Sequence, residues 1–73
     1  MIISTVDFWI DELKKEYCVD ELYQLPREVL DAAIAEAEGT IDNCKIINDD
    51  YGICCNRVYI DYLNEAIEIQ DNQ

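Results

Sequence analysis

Apolar residues recur three and four positions apart along most of the chain, the period of an amphipathic helix. Val6, Trp9, Ile10, Leu13 and Tyr17 form the first stripe. It predicts a helix entered near Ser4 or Thr5, whose side-chain oxygens suit the unpaired amides of a first turn. Asp7, three residues after Ser4, makes a loose capping box. Phe8 falls on the opposite side, among Asp11, Glu12 and Lys15, and is exposed unless Ile2 and Ile3 fold back over it.

Residues 18–26 read as a connector with one helical turn begun by Asp20. Pro26 then suits the first position of a second helix, where its missing N–H costs nothing. Leu30, Ala33, Ile34 and Ala37 form the stripe of that helix, with Val29 at its edge. Its sequence is rich in strong helix formers, and Gly39 is placed to close it in the left-handed conformation common after helix ends. The following stretch, TIDNCKIINDDYG, has near-helical spacing at Ile41, Cys44 and Ile47 or Asn48. It is expected to form a short helix or turn, the alternative being an extended piece.

A third helix is predicted over residues 52–69, preceded by Asp49 and Asp50, where negative charge favours the positive end of the helix dipole. At about 100° per residue, Arg57, Asp61, Asn64 and Glu68 share a narrow polar face. Cys55, Val58, Tyr59, Tyr62, Leu63, Ala66 and Ile69 lie opposite, and Ile53, Ile60 and Ile67 form a further flank. An apolar arc this wide belongs to the central helix of a bundle or to one shared with a second subunit. The fold class is therefore all-α: one acidic helical domain over residues 1–73, a compact three-helix bundle with one or two short extra turns. The alternative is α+β with a small hairpin near residues 40–53.

Charge changes the picture most. Seventeen acids face five bases, there is no His, and the net charge is −12. Ordinary nucleic-acid binding is excluded, because phosphate contacts need Lys and Arg. Anionic membranes are disfavoured for the same reason, and the expected partners are basic surfaces or cations. The opening residues have no basic region followed by a long apolar run. No stretch approaches the roughly 18 apolar residues of a membrane span. A cytoplasmic location follows as an expectation, with the four cysteines reduced.

Cys54 and Cys55 are adjacent but point apart on the helical wheel, Cys55 into the apolar arc and Cys54 to the edge of the polar face. Zinc sites want four convergent ligands, usually from separated pairs, so no metal is expected. A reactive thiol needs a base or positive surroundings, and here the surroundings are acidic. Cys18, Cys44 and Cys55 are expected as small core residues, with Cys54 partly exposed. The segment around Asp49 lacks the spacing of a calcium-binding loop. One Ser, no His and no glycine-rich phosphate loop leave no constellation for catalysis. The expectation is a non-enzyme without cofactors.

The carboxylates are the candidate interaction chemistry. Asp7 and Asp11 on the first helix, Glu28, Asp31, Glu36 and Glu38 on the second, and Asp61, Glu65 and Glu68 on the third are singled out, with Phe8 as an aromatic anchor. Many sit three or four residues apart, a rise of about 4.5–6 Å, so rows of them imitate a phosphate backbone. Pairs of Lys15 with Asp11 and Glu12, and of Arg57 with Asp61, offset a few of these charges, but five bases leave a surplus. As a class, a small, strongly acidic chain resembles the phage-type inhibitors, including anti-CRISPR, anti-restriction and other DNA-mimic proteins. That resemblance implies a non-enzymatic inhibitor bound to the basic site of a nucleic-acid-binding protein, and it assigns no residue roles. The alternative function is a small adaptor or structural module that dimerises through Ile53, Ile60 and Ile67 on the third helix.

Overall fold

A computed structural model describes residues 2–73. It is an all-α three-helix bundle. Helix α1 spans Ile2–Glu16, α2 spans Arg27–Ile46 and α3 spans Asp50–Asp71, and a 3₁₀ turn, Leu22–Gln24, lies between α1 and α2. No strand occurs among the described residues, so the hairpin alternative for residues 40–53 is not what this stretch forms. At 1.5 Å per residue α2 and α3 are about 30 and 33 Å long, and they set the long axis of a body 39 × 21 × 18 Å in extent.

Two core clusters follow from the stripes. Leu25, Leu30, Leu63 and Ala66 are buried together where the connector, α2 and α3 meet, with Leu13, Ile34 and Ile67 packed around them. Val6, Ile10 and Cys55 are buried between α1 and α3, flanked by Trp9, Val58 and Tyr59. Helix α3 contributes to both clusters and is the central element that its wide apolar arc predicts. Helices α1 and α2 each pack mainly on α3, and among the described residues they lie further from one another than either does from α3.

Several boundaries differ from expectation. Helix α1 is already helical at Ile2, so Ser4 and Thr5 lie inside it rather than capping it. Pro26 is the residue before α2 and not its first helical residue; its carbonyl accepts from Val29 and Leu30 N–H at 3.0 and 3.2 Å. The turn begins at Leu22, and Gln24 Oε1 steadies it by accepting from both Asp20 and Glu21 N–H at 2.9 Å.

The largest difference is Gly39, which does not end α2. The helix runs seven residues further, burying Ile41 and Cys44 on the same face as Leu30 and Ala37. An interior glycine costs about 1 kcal/mol relative to alanine, whereas burying one aliphatic side chain returns about 1.5–3 kcal/mol. The extension wins, and Asn48 takes the left-handed position instead, with φ 59°. Asp49 N–H donates to Cys44 O at 2.8 Å and Asn48 N–H to Lys45 O at 3.4 Å, the paired bonds of a Schellman ending. The end of α1 repeats this motif. Cys18 has φ 54°, Val19 N–H donates to Lys14 O at 3.0 Å, and Cys18 N–H to Lys15 O at 3.2 Å.

Those turns explain two further corrections. Cys18 is exposed rather than part of the core, because the left-handed residue after a helix points away from its buried stripe. Tyr17, just beyond the last helical residue, is 43% exposed despite lying on the extrapolated stripe.

The junction between α2 and α3 is tight. Asp49 Oδ1 accepts from Gly52 N–H at 3.0 Å, capping α3. Its other carboxylate oxygen accepts from the Cys44 thiol at 3.8 Å. A Cβ at Gly52 would lie 2.6 Å from Asp49 Oδ2 and 2.7 Å from Cys44 Sγ, so any larger residue must displace the capping carboxylate or the thiol. At the far end of the same helix pair, Gln70 Nε2 donates to the carbonyls of Tyr23 and Leu25 at 2.9 and 2.7 Å. Arg27 donates to Gln70 Oε1 at 3.2 Å and is ion-paired with Asp71. The connector is thus clamped onto the end of α3.

Candidate interaction surface

All ten residues singled out as contacts, from Asp7 and Phe8 to Glu65 and Glu68, are exposed. Sixteen of the seventeen acids are exposed; Asp49, the cap of α3, is half-buried. Among the described residues the ion pairs are Lys14–Asp11 at 3.6 Å, Lys15–Glu12 at 3.9 Å, and Arg27–Asp71. Lys15 thus meets Glu12 as expected, but Asp11 turns to Lys14, and Arg57 does not pair with Asp61. Most of the carboxylates therefore face solvent without a cationic neighbour.

The acids do not gather on one side of the molecule. On α3, Asp61, Glu65 and Glu68 follow one another with rises of about 6 and 4.5 Å. On α2, Asp31, Glu38 and Asp42 share a face by helical periodicity, while Glu28 and Glu36 turn toward α1. The geometry brings Glu28, Glu36 and Glu16 to one hollow between α1 and α2. Asp7 and Glu65 meet at another, between α1, the connector and α3, which also contains Lys14 and Glu21.

The α1–α2 hollow is the larger structural feature. Because these helices pack mainly on α3, a groove runs between them. One section of about 310 Å³ is lined by Trp9 and Leu13 of α1, Ala33, Ala37 and Thr40 of α2, and Tyr59 of α3. Adjoining sections share Leu13, Ala33 and Glu36, or Trp9 and Tyr59. Trp9 and Tyr59 meet edge to face, with ring centroids 5.5 Å apart at 75°. Burial and the negative charge of Glu36 both push the Tyr59 phenol pKa up. Glu12 and Glu16 stand along the α1 side of this groove.

Phe8 is 61% exposed and Ile3 is itself exposed, so Ile3 does not cover the ring; the Ile2 side chain lies outside the described residues. Ile53, Ile60 and Ile67 are half-buried, and Ile67 already packs on the Leu30–Leu63 cluster. Tyr62, placed in the arc of α3, is 39% exposed. Among the described residues the most exposed large aliphatics are Ile46 and Ile47, at 78% and 70%, where α2 ends, so the spacing of Ile41 and Cys44 does not carry on to a buried Ile47.

Cys55 is fully buried and Cys54 exposed, as the wheel predicts. Cys44 is buried, and its thiol pKa is raised by desolvation, then by the charge and hydrogen bond of Asp49. All four cysteines are free, and no cluster of three or more metal-ligating side chains occurs among the described residues. Helical periodicity missed Asn56, which is buried on α3 with its Nδ2 donating to Gly52 O at 2.8 Å. It also missed Gln70, whose partners lie more than forty residues away.

Among the described residues no helix is long and apolar enough to cross a membrane. Compared with known protein families, curated proteins and solved structures, the chain matches none.

Proposed function

We propose that this protein is a non-enzymatic inhibitor or regulator that binds a basic protein surface through its exposed carboxylates. The observation that carries this reading is the uncompensated charge: sixteen exposed acids, of which Asp11, Glu12 and Asp71 alone are in ion pairs among the described residues. A surface of this sign draws cationic partners over a distance and repels nucleic acid and anionic lipid. The partner class that best matches it is a nucleic-acid-binding protein, whose Lys/Arg groove is built for phosphates about as closely spaced as these helical carboxylates. Occupying such a groove blocks the nucleic acid, which is the action of a DNA mimic of the phage anti-defence type, acting in the cytoplasm.

The test is binding to basic nucleic-acid-binding proteins recovered from a host lysate and then purified. Affinity should fall steeply between about 50 and 200 mM salt, and double-stranded DNA or RNA should compete for the same site. Reversing Asp61 and Glu68 to lysine together should weaken binding with the helical content unchanged. Salt-insensitive binding, or binding that nucleic acid leaves untouched, rejects the reading.

A further inference from the structure

The groove between α1 and α2 differs from the rest of the acidic surface because its floor is apolar. Trp9, Leu13, Ala33 and Tyr59 are each half-buried there, leaving apolar surface that no helix of this chain covers. Its edges are glutamates: Glu12 and Glu16 on α1, Glu28 and Glu36 on α2. Among the described residues lining it the one base is Lys15, which is tied to Glu12 at 3.9 Å. From Glu28 to Thr40 the α2 wall is about 18 Å long, room for about three turns of a helix. The hollow on the other side of α1 is less suited, because Lys14 stands among its carboxylates.

We propose that this groove is a docking site for a basic amphipathic helix of a partner protein, its aliphatic stripe on the floor and its Lys and Arg residues against the two glutamate edges. This inference deepens the charge-based function above and rests on it. A helix fits better than an extended segment, because a strand needs a sheet edge for its backbone and a helix satisfies its own. The small side chains of Ala32, Ala33 and Ala37 let such a helix approach α2 closely, and a fourth helix here completes a four-helix bundle. A second copy of this chain is a poor occupant. It would bring −12 against −12 and has only five bases to offer. Nucleic acid and anionic lipid meet the same glutamates and are repelled.

Trp9 is the only tryptophan and lines the groove, so its emission reports occupancy. The probes are two synthetic 18-residue Leu/Lys peptides of identical composition, one with leucines at helical spacing and one scrambled. The amphipathic peptide should bind at low salt and shift Trp9 emission to the blue. Amide shifts should concentrate on the facing sides of α1 and α2. Glu36→Lys, at the groove edge, should weaken binding by about tenfold or more, equivalent to about 1.4 kcal/mol. Asp42→Lys, an equal charge change on an exposed residue of α2 away from the groove, should cost less than about twofold. Ala33→Arg against Ala35→Arg repeats the comparison without removing an acid, with circular dichroism checking the fold.

If the scrambled peptide binds as well and the paired variants behave alike, the groove is overturned while charge-driven binding stands. If neither peptide binds at low salt, both readings fall.

Discussion

The seam between α2 and α3 is closed at both ends, whereas the space between α1 and α2 is open. The closed seam has a Schellman turn, a capping carboxylate and a glycine in tight contact at one end, and the Gln70–Arg27–Asp71 clamp at the other. Helix α1 also ends in a Schellman turn, but nothing comparable to that junction or to the clamp ties it to α2. It leans on α3 through Val6 and Ile10, reaches the larger cluster through Leu13, and is bonded to α3 by Thr5 to Tyr51 at 2.7 Å. The contrast teaches that a three-helix chain can spend its apolar surface unevenly. A hairpin with sealed ends carries the stability, and the helix attached mainly to one of its members leaves a groove beside it.

The heaviest blow to the closed seam is Leu63→Ala. Leu63 is fully buried at the centre of the larger cluster, and the change should cost about 2–5 kcal/mol in urea unfolding, lowering the global midpoint. Val6→Ala should cost less and act locally, raising amide exchange in α1 before it changes exchange in α2 and α3. Equal protection of all three helices in the parent protein would break the comparison.

Next is the clamp. Gln70→Leu keeps the bulk but leaves the Tyr23 and Leu25 carbonyls without their donor, for an expected loss of about 1–3 kcal/mol by the same measurement. A neutral result would mean that water replaces the amide without penalty.

The two glycines sharpen the contrast between a packed end and an open face. Gly52→Ala drives a Cβ into Asp49 and Cys44. The displaced cap and crowding, each about 1–2 kcal/mol, outweigh an alanine gain of about 1 kcal/mol, so Tm should fall. Gly39→Ala meets nothing within 4 Å and should raise stability by about 0.5–1 kcal/mol.

The smallest effect is a pH dependence at the same junction. The Cys44 thiol pKa is raised in the folded protein, so in the alkaline range the unfolded chain gives up that proton first. The native state then binds more protons than the unfolded state, and stability falls as pH rises. The loss should begin near about pH 8.5, the ordinary thiol value, and continue through the higher folded value. Cys44→Ala should flatten this part of the curve. An unchanged slope in the variant would remove Cys44 as its origin.

The helices and their buried faces were legible because helical periodicity is a local signal. Val6, Ile10, Leu30, Ala37 and Leu63 could be assigned to the interior from spacing alone, and so could the opposite fates of Cys54 and Cys55. Gly39 misled because a propensity of about 1 kcal/mol is readable locally, while the burial of Ile41 and Cys44 that overrides it depends on where α3 lies. Cys18 misled because burial was extrapolated past a left-handed turn that carries no glycine to announce it. Gln70, Asn56 and the groove are products of how the helices assemble. On the surface, the acids were legible as exposed, but their division among several faces was not, since it depends on which flank each helix turns to a neighbour.

The dependence of α1 on α3 also has a consequence for the order of events during folding. An isolated helix of 15 residues is marginal in water, and the partner of α1 begins more than thirty residues downstream. On a growing chain α1 must wait, with Val6, Trp9 and Ile10 uncovered, until α3 has emerged and paired with α2. The hairpin, joined by three residues, nucleates at little loop-closure cost, and α1 is recruited onto it afterwards. A pulse-labelling experiment on refolding protein should therefore see α2 and α3 protected first.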